Sequence, residues 1–157
     1  MSAGYSIGRF NDASRLEELH RLVQDAFRDL PIDPPSSSLR ETVADFATRL
    51  QADTIFVASA GRALIGSVFC TPKGDALYIG RLAVRPDWRR RGVASALVDA
   101  AKAEAKLRGA TRITLGARIA LPGNAALFRR HGFVIVGYET HAGFTTPTSY
   151  DMELALA

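Results

Sequence analysis

Three consecutive arginines, Arg89, Arg90 and Arg91, stand directly before Gly92, and Val93, Ala94 and Ser95 follow. The cluster lies after the apolar, strand-like run Leu77 to Val84 and opens the Ala-rich, helix-like run Val93 to Leu107. A basic turn between a strand and a helix is suited to holding phosphates. The start of a helix leaves backbone N–H groups unpaired and carries partial positive charge. Gly92 has no Cβ, so a ligand can approach the main chain closely. Arginines add planar donor forks that match phosphate oxygens. The expected ligand is anionic, a pyrophosphate first. The plain alternative is solvated surface charge, but cations at a helix start oppose the helix dipole, so the cluster needs a reason.

Elements positioning this turn are legible from periodicity and punctuation. Ser14 and Glu17 have capping-box spacing, and Leu16, Leu19, Val23, Ala26 and Leu30 share one helical face. Ser38 and Glu41 repeat the signature before Val43, Phe46, Ala47 and Leu50, which predicts a second helix. Thr54 to Ala60 and Ala63 to Cys70 read as a hairpin about Gly61-Arg62. Pro72 to Asp75 is the turn into a strand over Ala76 to Val84. The helix Val93 to Leu107 stops at Gly109. A strand Arg112 to Ala117, a short helix Asn124 to His131, and strands Phe133 to Glu139 and Ser149 to Leu156 complete the chain. With a short first strand around Tyr5 to Arg9, the order is β-α-α-β-β-β-α-β-α-β-β. Tight turns imply antiparallel neighbours and strand-helix-strand units imply parallel ones. Both are satisfied by a mixed, largely antiparallel twisted sheet with helices on both faces.

The chain has 157 residues, 47% of them hydrophobic and 23% charged, the profile of one soluble domain spanning residues 1–157. Its net charge of +4 fits an acidic ligand and is too small to argue for nucleic acid, for which no motif is present. Cys70 is the only cysteine and sits in an apolar run, so it reads as a small core residue and no internal disulfide can form. No apolar run approaches the ~20 residues of a membrane span, and no signal pattern opens the chain, so a cytoplasmic protein is expected. The three histidines lack metal-ligand spacing, so no metal is expected.

The element order, with Arg-x-x-Gly-x-Ala where the fourth strand meets the third helix, resembles the GCN5-related N-acetyltransferase (GNAT) superfamily across essentially the whole chain. Leu82-Ala83-Val84-Arg85-Pro86, Arg89 to Ala94, and Asn124 with Leu127 to Phe133 carry the resemblance. It implies an acetyl-CoA-dependent N-acetyltransferase, with the cosubstrate in a cleft where two parallel strands splay. By position, the main chain of Leu82, Ala83 and Val84 would pair with the pantetheine arm as an added strand. Arg89 and the amides of Arg90, Arg91, Gly92, Val93, Ala94 and Ser95 would hold the pyrophosphate. Asn124 would contact pantetheine unless it is simply a helix N-cap. Phe128 would line the thiol end unless it is ordinary core, and Arg130 would reach the adenosine phosphate.

The implied reaction is direct attack of a neutral amine on the thioester. A backbone N–H near Val84, freed where the strand distorts at Gly80-Arg81, would polarise the carbonyl. Many relatives carry a tyrosine acid where this chain has Phe128, and a strand glutamate that is missing here. Glu139 and His141 are the candidates to take the amine's proton, with Tyr78 weaker and a water chain the alternative. Asp33, Glu41, Glu139 and His141 together would suit a cationic acceptor. A homodimer is common in the family. The competing reading is an acyl-CoA-binding module whose catalysis has weakened.

Overall fold

The centre of the sheet is a strand, β3 (Ala63–Lys73), buried along seven consecutive residues from Leu64 to Cys70. A strand covered on both faces shows an unbroken apolar run instead of alternation, which is what this segment spells. The computed structural model describes residues 4–157. On one side β3 pairs antiparallel with β2 (Thr54–Ala60), and β2 pairs likewise with β1 (Ser6–Arg9). On the other side lies β4 (Ala76–Val84), antiparallel again. Next comes β5 (Arg112–Arg118), parallel to β4. Strand β7 (Ser149–Ala155) inserts between β5 and the edge strand β6 (Val134–Glu139), giving the order β1-β2-β3-β4-β5-β7-β6. The mixed, largely antiparallel sheet is therefore as the sequence implies.

Helices α1 (Leu16–Arg28) and α2 (Val43–Ala52) cover one face, where Leu19, Val23 and Phe46 pack with Ile55 and Phe69. Helices α3 (Val93–Leu107) and α4 (Pro122–Arg130) cover the other, with Leu97, Val98 and Ala101 against Val68, Leu77 and Ile113. Cys70 belongs to this second core, and burial pushes its thiol up to about 12, far from any nucleophilic role.

Several local signals resolve differently from expectation. Asp12, not Ser14, caps the first turn; it accepts from the Ser14 amide at 3.0 Å, and α1 begins only after the short turn Ala13–Arg15. The second capping box belongs to Thr42 and Asp45, whose reciprocal bonds measure 3.1 and 2.8 Å. Ser38 is instead buried within a short 3₁₀ turn that Ser36 caps. Pro72 and Lys73 continue β3, leaving Gly74-Asp75 as the turn. Asn124 lies inside α4 with Leu121 at the cap, so the N-cap alternative is wrong.

Two contacts fix where α3 starts. Gly66 on β3 faces Val84, and a Cβ there would lie 3.0 Å from Val93 Cγ1 and 3.1 Å from the Ala83 carbonyl. Beyond α4, His131 reaches back to α3: its Nε2 is 2.6 Å from Ser95 Oγ, and Lys102 donates to its carbonyl at 2.8 Å. Burial first, then the Lys102 charge, holds the imidazole below its ordinary range, and Asp99 opposes this from 3.6 Å.

Gly66→Ala is expected to cost about 1–3 kcal/mol, because a backbone carbonyl forms part of the obstruction; thermal unfolding will show it as a Tm lowered by several degrees. For His131 the unfolded chain takes up the proton first as pH falls. Its contribution is therefore full above about pH 6.5 and declines below that value. His131→Gln should flatten the loss of Tm between about pH 7.5 and 5.5. An unchanged slope would remove His131 from this dependence.

Candidate functional site

Strands β4 and β5 pair over three rungs only, Ala76 with Arg112, Leu77 with Ile113 and Tyr78 with Thr114. Past Tyr78 they part. The cause is visible on the other edge of β4, where Gly80 faces Phe69 and Ala83 faces Ser67, so Arg81 and Leu82 together oppose Val68. This bulge falls where the sequence places a distortion. Arg81 has a left-handed backbone with φ +52°, and its carbonyl accepts from Ser67 Oγ at 3.0 Å. The Arg85 amide donates to the Ile65 carbonyl at 2.8 Å, which binds that residue to β3. Strand alternation then turns the Val84 N–H and C=O toward the gap. Arg89 Nε donates to the Val84 carbonyl at 3.2 Å from that open side.

At the same end of the sheet the turn before α3 winds through two left-handed residues, Arg90 at φ +63° and Gly92 at φ +83°. No side chain caps the helix, so its first-turn amides have no side-chain partner. A Cβ on Gly92 would meet only Tyr5 Oη at 3.7 Å, leaving open space over the turn. Two of the three arginines fold back on the protein: Arg89 onto Val84, and Arg91 over the Trp88 ring at 4.6 Å. Arg90 is exposed, Val93 is buried, and Ala94 and Ser95 are half-buried, with the Ser95 hydroxyl held by His131.

The gap between β4 and β5 opens into a cavity of about 630 Å³. Six of the residues singled out in the sequence meet on its wall: Tyr78, Leu82, Asn124, Phe128, Glu139 and His141. Ala83, Val84, the Arg89–Ser95 turn and Arg130 lie outside it; Ala83 is buried beneath α1 and Arg130 is exposed at the end of α4. Phe128 lines the cavity and is also buried, packing edge-on against Phe133 at 5.8 Å, so the core reading holds. The main chain ahead of α2 closes the opposite wall with Ile32, Pro34, Pro35 and Arg40.

One correction concerns charge. Glu41 does not face an acceptor: its carboxylate is bound by Arg49 Nε at 2.6 Å and Arg81 Nε at 2.7 Å. Asp33 is exposed and does not line the cavity. The wall carries instead several side chains the sequence reading passed over, Arg40, Lys73, Arg118 and Asp151 among them. The signal for Arg118 and Asp151 was strand alternation. Each sits two residues from a polar or glycine position on the same side of its strand, opposite the buried Leu115, Ala117 and Met152.

Among the described residues no group of three His, Cys, Asp or Glu side chains could hold a metal ion, and no helix is long and apolar enough to cross a membrane. No curated protein matches the chain in sequence. Solved structures do match in fold. An acetyltransferase of the GNAT family from Streptococcus pneumoniae superposes with a TM-score of 0.82 at 15% identity, over 98% of this chain and 99% of that one. The PaiA N-acetyltransferase of Thermoplasma acidophilum, in complex with coenzyme A, gives 0.81 at 16% identity, over 99% and 100%. The ribosomal-protein-S18-alanine N-acetyltransferase of Escherichia coli gives 0.77 at 20% identity, over 96% and 93%. At such identities the likeness is one of fold. The sequence profile of the Acetyltransferase (GNAT) family matches residues 16–133, about three-quarters of the chain. Together with the splayed strands and the glycine turn at α3, this makes the chain a member of the GNAT acetyltransferase family.

Proposed function

We propose that the protein transfers an acetyl group from acetyl-CoA to an amine, and the observation that carries this is the unpaired inner edge of β4 leading to the uncapped start of α3. The residues present fit that cosubstrate. The Val84 N–H, beside the C=O that Arg89 already bonds, offers an edge on which the amide-rich pantetheine arm can pair. The α3 amides around Gly92 and the exposed Arg90 suit a pyrophosphate. Arg130 is free to reach the adenosine phosphate. Asn124, Leu82 and Phe128 line the cavity where the thioester would end. Bound acetyl-CoA supplies an acetyl thioester, whose carbonyl carbon a neutral amine attacks while the carbon–sulfur bond breaks.

Proton handling then falls to this chain's own residues. Thr148 Oγ1 has one hydrogen to give, and it donates to the Glu139 carbonyl at 3.3 Å. It accepts from the His141 amide at 3.1 Å and also contacts His141 Nδ1, which fixes the orientation of the ring. His141 is the base we favour, with Glu139 beside it on the cavity wall and Tyr78 at the last paired rung. Phe128 has no proton to return to sulfur. A thiol with pKa near ~8.5 leaves readily as the thiolate, so water suffices there.

Phe128 also favours the second reading, an acyl-CoA-binding module with weakened catalysis. The two differ in turnover: a binding module holds acetyl-CoA without consuming it in the presence of amines.

Calorimetry with acetyl-CoA is expected to give micromolar binding. Gly92→Val should abolish it, since the branched side chain covers the amides. The same residue at φ +83° also costs about 1–2 kcal/mol of fold stability. Normal binding by Gly92→Val would refute the pyrophosphate assignment. His141→Gln should keep acetyl-CoA affinity and lower kcat by about 10²-fold. An unchanged kcat would transfer the base role to Glu139 or to water.

A further inference from the structure

We propose that the acceptor is a small amine that also carries a carboxylate, and that Arg118, assisted by Arg40, seats that carboxylate in the cavity; this rests on the acetyltransferase reading above. The basic side chains on the cavity wall divide into those already neutralised and those that are not. Arg49 and Arg81 are held by Glu41, and Arg49 also by Asp53 at 3.3 Å. Lys73 lies over the Tyr78 ring at 4.3 Å. Arg118, Arg40 and Lys73 make no ion pair among the described residues, and of these only Lys73 has an aromatic partner.

Arg118 is the informative one. It projects from β5 on the face opposite α3, in one row with Ser149 of β7 and Glu139 of β6. It is half-buried, yet its hydrogen-bond partner is a single main-chain oxygen, the Pro35 carbonyl at 3.4 Å from Nη2. Burial pushes its pKa below the usual guanidinium value, and only the through-space charge of Asp33 works the other way. A guanidinium with most of its five donors unanswered, at the wall of a cavity, suits a planar bidentate anion. A carboxylate is such a group.

The rest of the wall supplies a complement for the ammonium end. Asp151 lies one row away from Arg118, opposite Gly116 on β5 and Gly137 on β6. Neither glycine has a side chain, so the carboxylate leans over Gly137, its Oδ2 3.3 Å from where a Cβ would stand, and beside Gly116 the nearest atom is Tyr78 Oη at 4.0 Å. Glu139 adds a second negative charge along the Arg118 row. An amine drawn toward Asp151 and Glu139, with its carboxylate on Arg118, would be held at both ends. A purely cationic amine would leave Arg118 unanswered and set its own charge beside it. Glu41, the acid that seemed to favour such an acceptor, is locked in its ion pairs.

The test is thiol release from acetyl-CoA with matched acceptors: alanine, glutamate, β-alanine and γ-aminobutyrate, each against its carboxamide, with spermidine as the cationic comparator. The acids should exceed their amides by tenfold or more in kcat/KM. Arg118→Gln should remove that preference by raising KM for the acids, with kcat for the amides and calorimetric affinity for acetyl-CoA unchanged. Arg118→Lys should restore part of it. Arg40→Gln, at an exposed position that cannot threaten the fold, should weaken it in the same direction. Equal use of acids and amides, preference for spermidine, or no turnover of the panel while acetyl-CoA binds normally would each overturn the carboxylate assignment and leave cosubstrate binding standing. Absence of acetyl-CoA binding would overturn both.

Discussion

Every other feature of the site depends on β4 leaving β5 after Tyr78. Backbone N–H and C=O groups inside a protein must be paired, so two strands that part in mid-sheet expose an edge that a side chain, a ligand or water has to satisfy. Something has to hold them apart. The bulge does so from the far edge by spending Arg81 and Leu82 against one residue of β3. Arg81 sits in a left-handed conformation that costs a non-glycine residue about 1–2 kcal/mol. It is pinned at both ends, its carbonyl by Ser67 and its guanidinium by Glu41. The Arg49–Glu41–Arg81 chain thus ties α2 to the bulge, which explains why an acid that looks available in the sequence serves the scaffold instead.

The same constraint joins the two halves of the proposed cosubstrate site. Because Gly66 lets α3 approach the end of β4, the uncapped helix start lies close to the edge that the bulge frees. Arg89 makes the connection explicit, running from the glycine turn to the Val84 carbonyl. His131 ties the far side of α3 to α4 through Ser95. A strand edge, a helix start and the α4 wall carrying Asn124 and Phe128 are therefore held together by a few short contacts.

How much of this was legible in the sequence follows from what kind of group does each job. The order of strands and helices, and the limits of β4 and α3, were readable because apolar periodicity and glycine stops record them directly. The Gly92 turn was readable because a backbone that must be left-handed and approachable restricts the residue that can stand there. Capping boxes were less so. Ser14 and Ser38 had the right spacing, but Asp12 and Thr42 stood nearby with equal or better geometry, and spacing alone cannot rank competing caps. The bulge was placed correctly because a glycine followed by an arginine interrupts an otherwise apolar strand.

The proposed acceptor side was hidden for a different reason. Its walls come from the segment before α2 and from β5, β6 and β7, with Arg40, Arg118, Glu139 and Asp151 spread over more than a hundred residues. None belongs to a motif. Each is one polar residue on an alternating strand or an exposed turn, and such residues are usually only solvated. What distinguishes them is relational: whether a neighbouring charge answers them. Glu41 and Arg81 are indistinguishable from Asp151 and Arg118 as letters, yet the first two neutralise one another and the second two line the cavity without an ion pair among the described residues. On the proposed reading, a cosubstrate gripped by main chain leaves a readable trace because it constrains backbone, whereas an acceptor gripped by side chains is specified only once the fold has decided which charges meet.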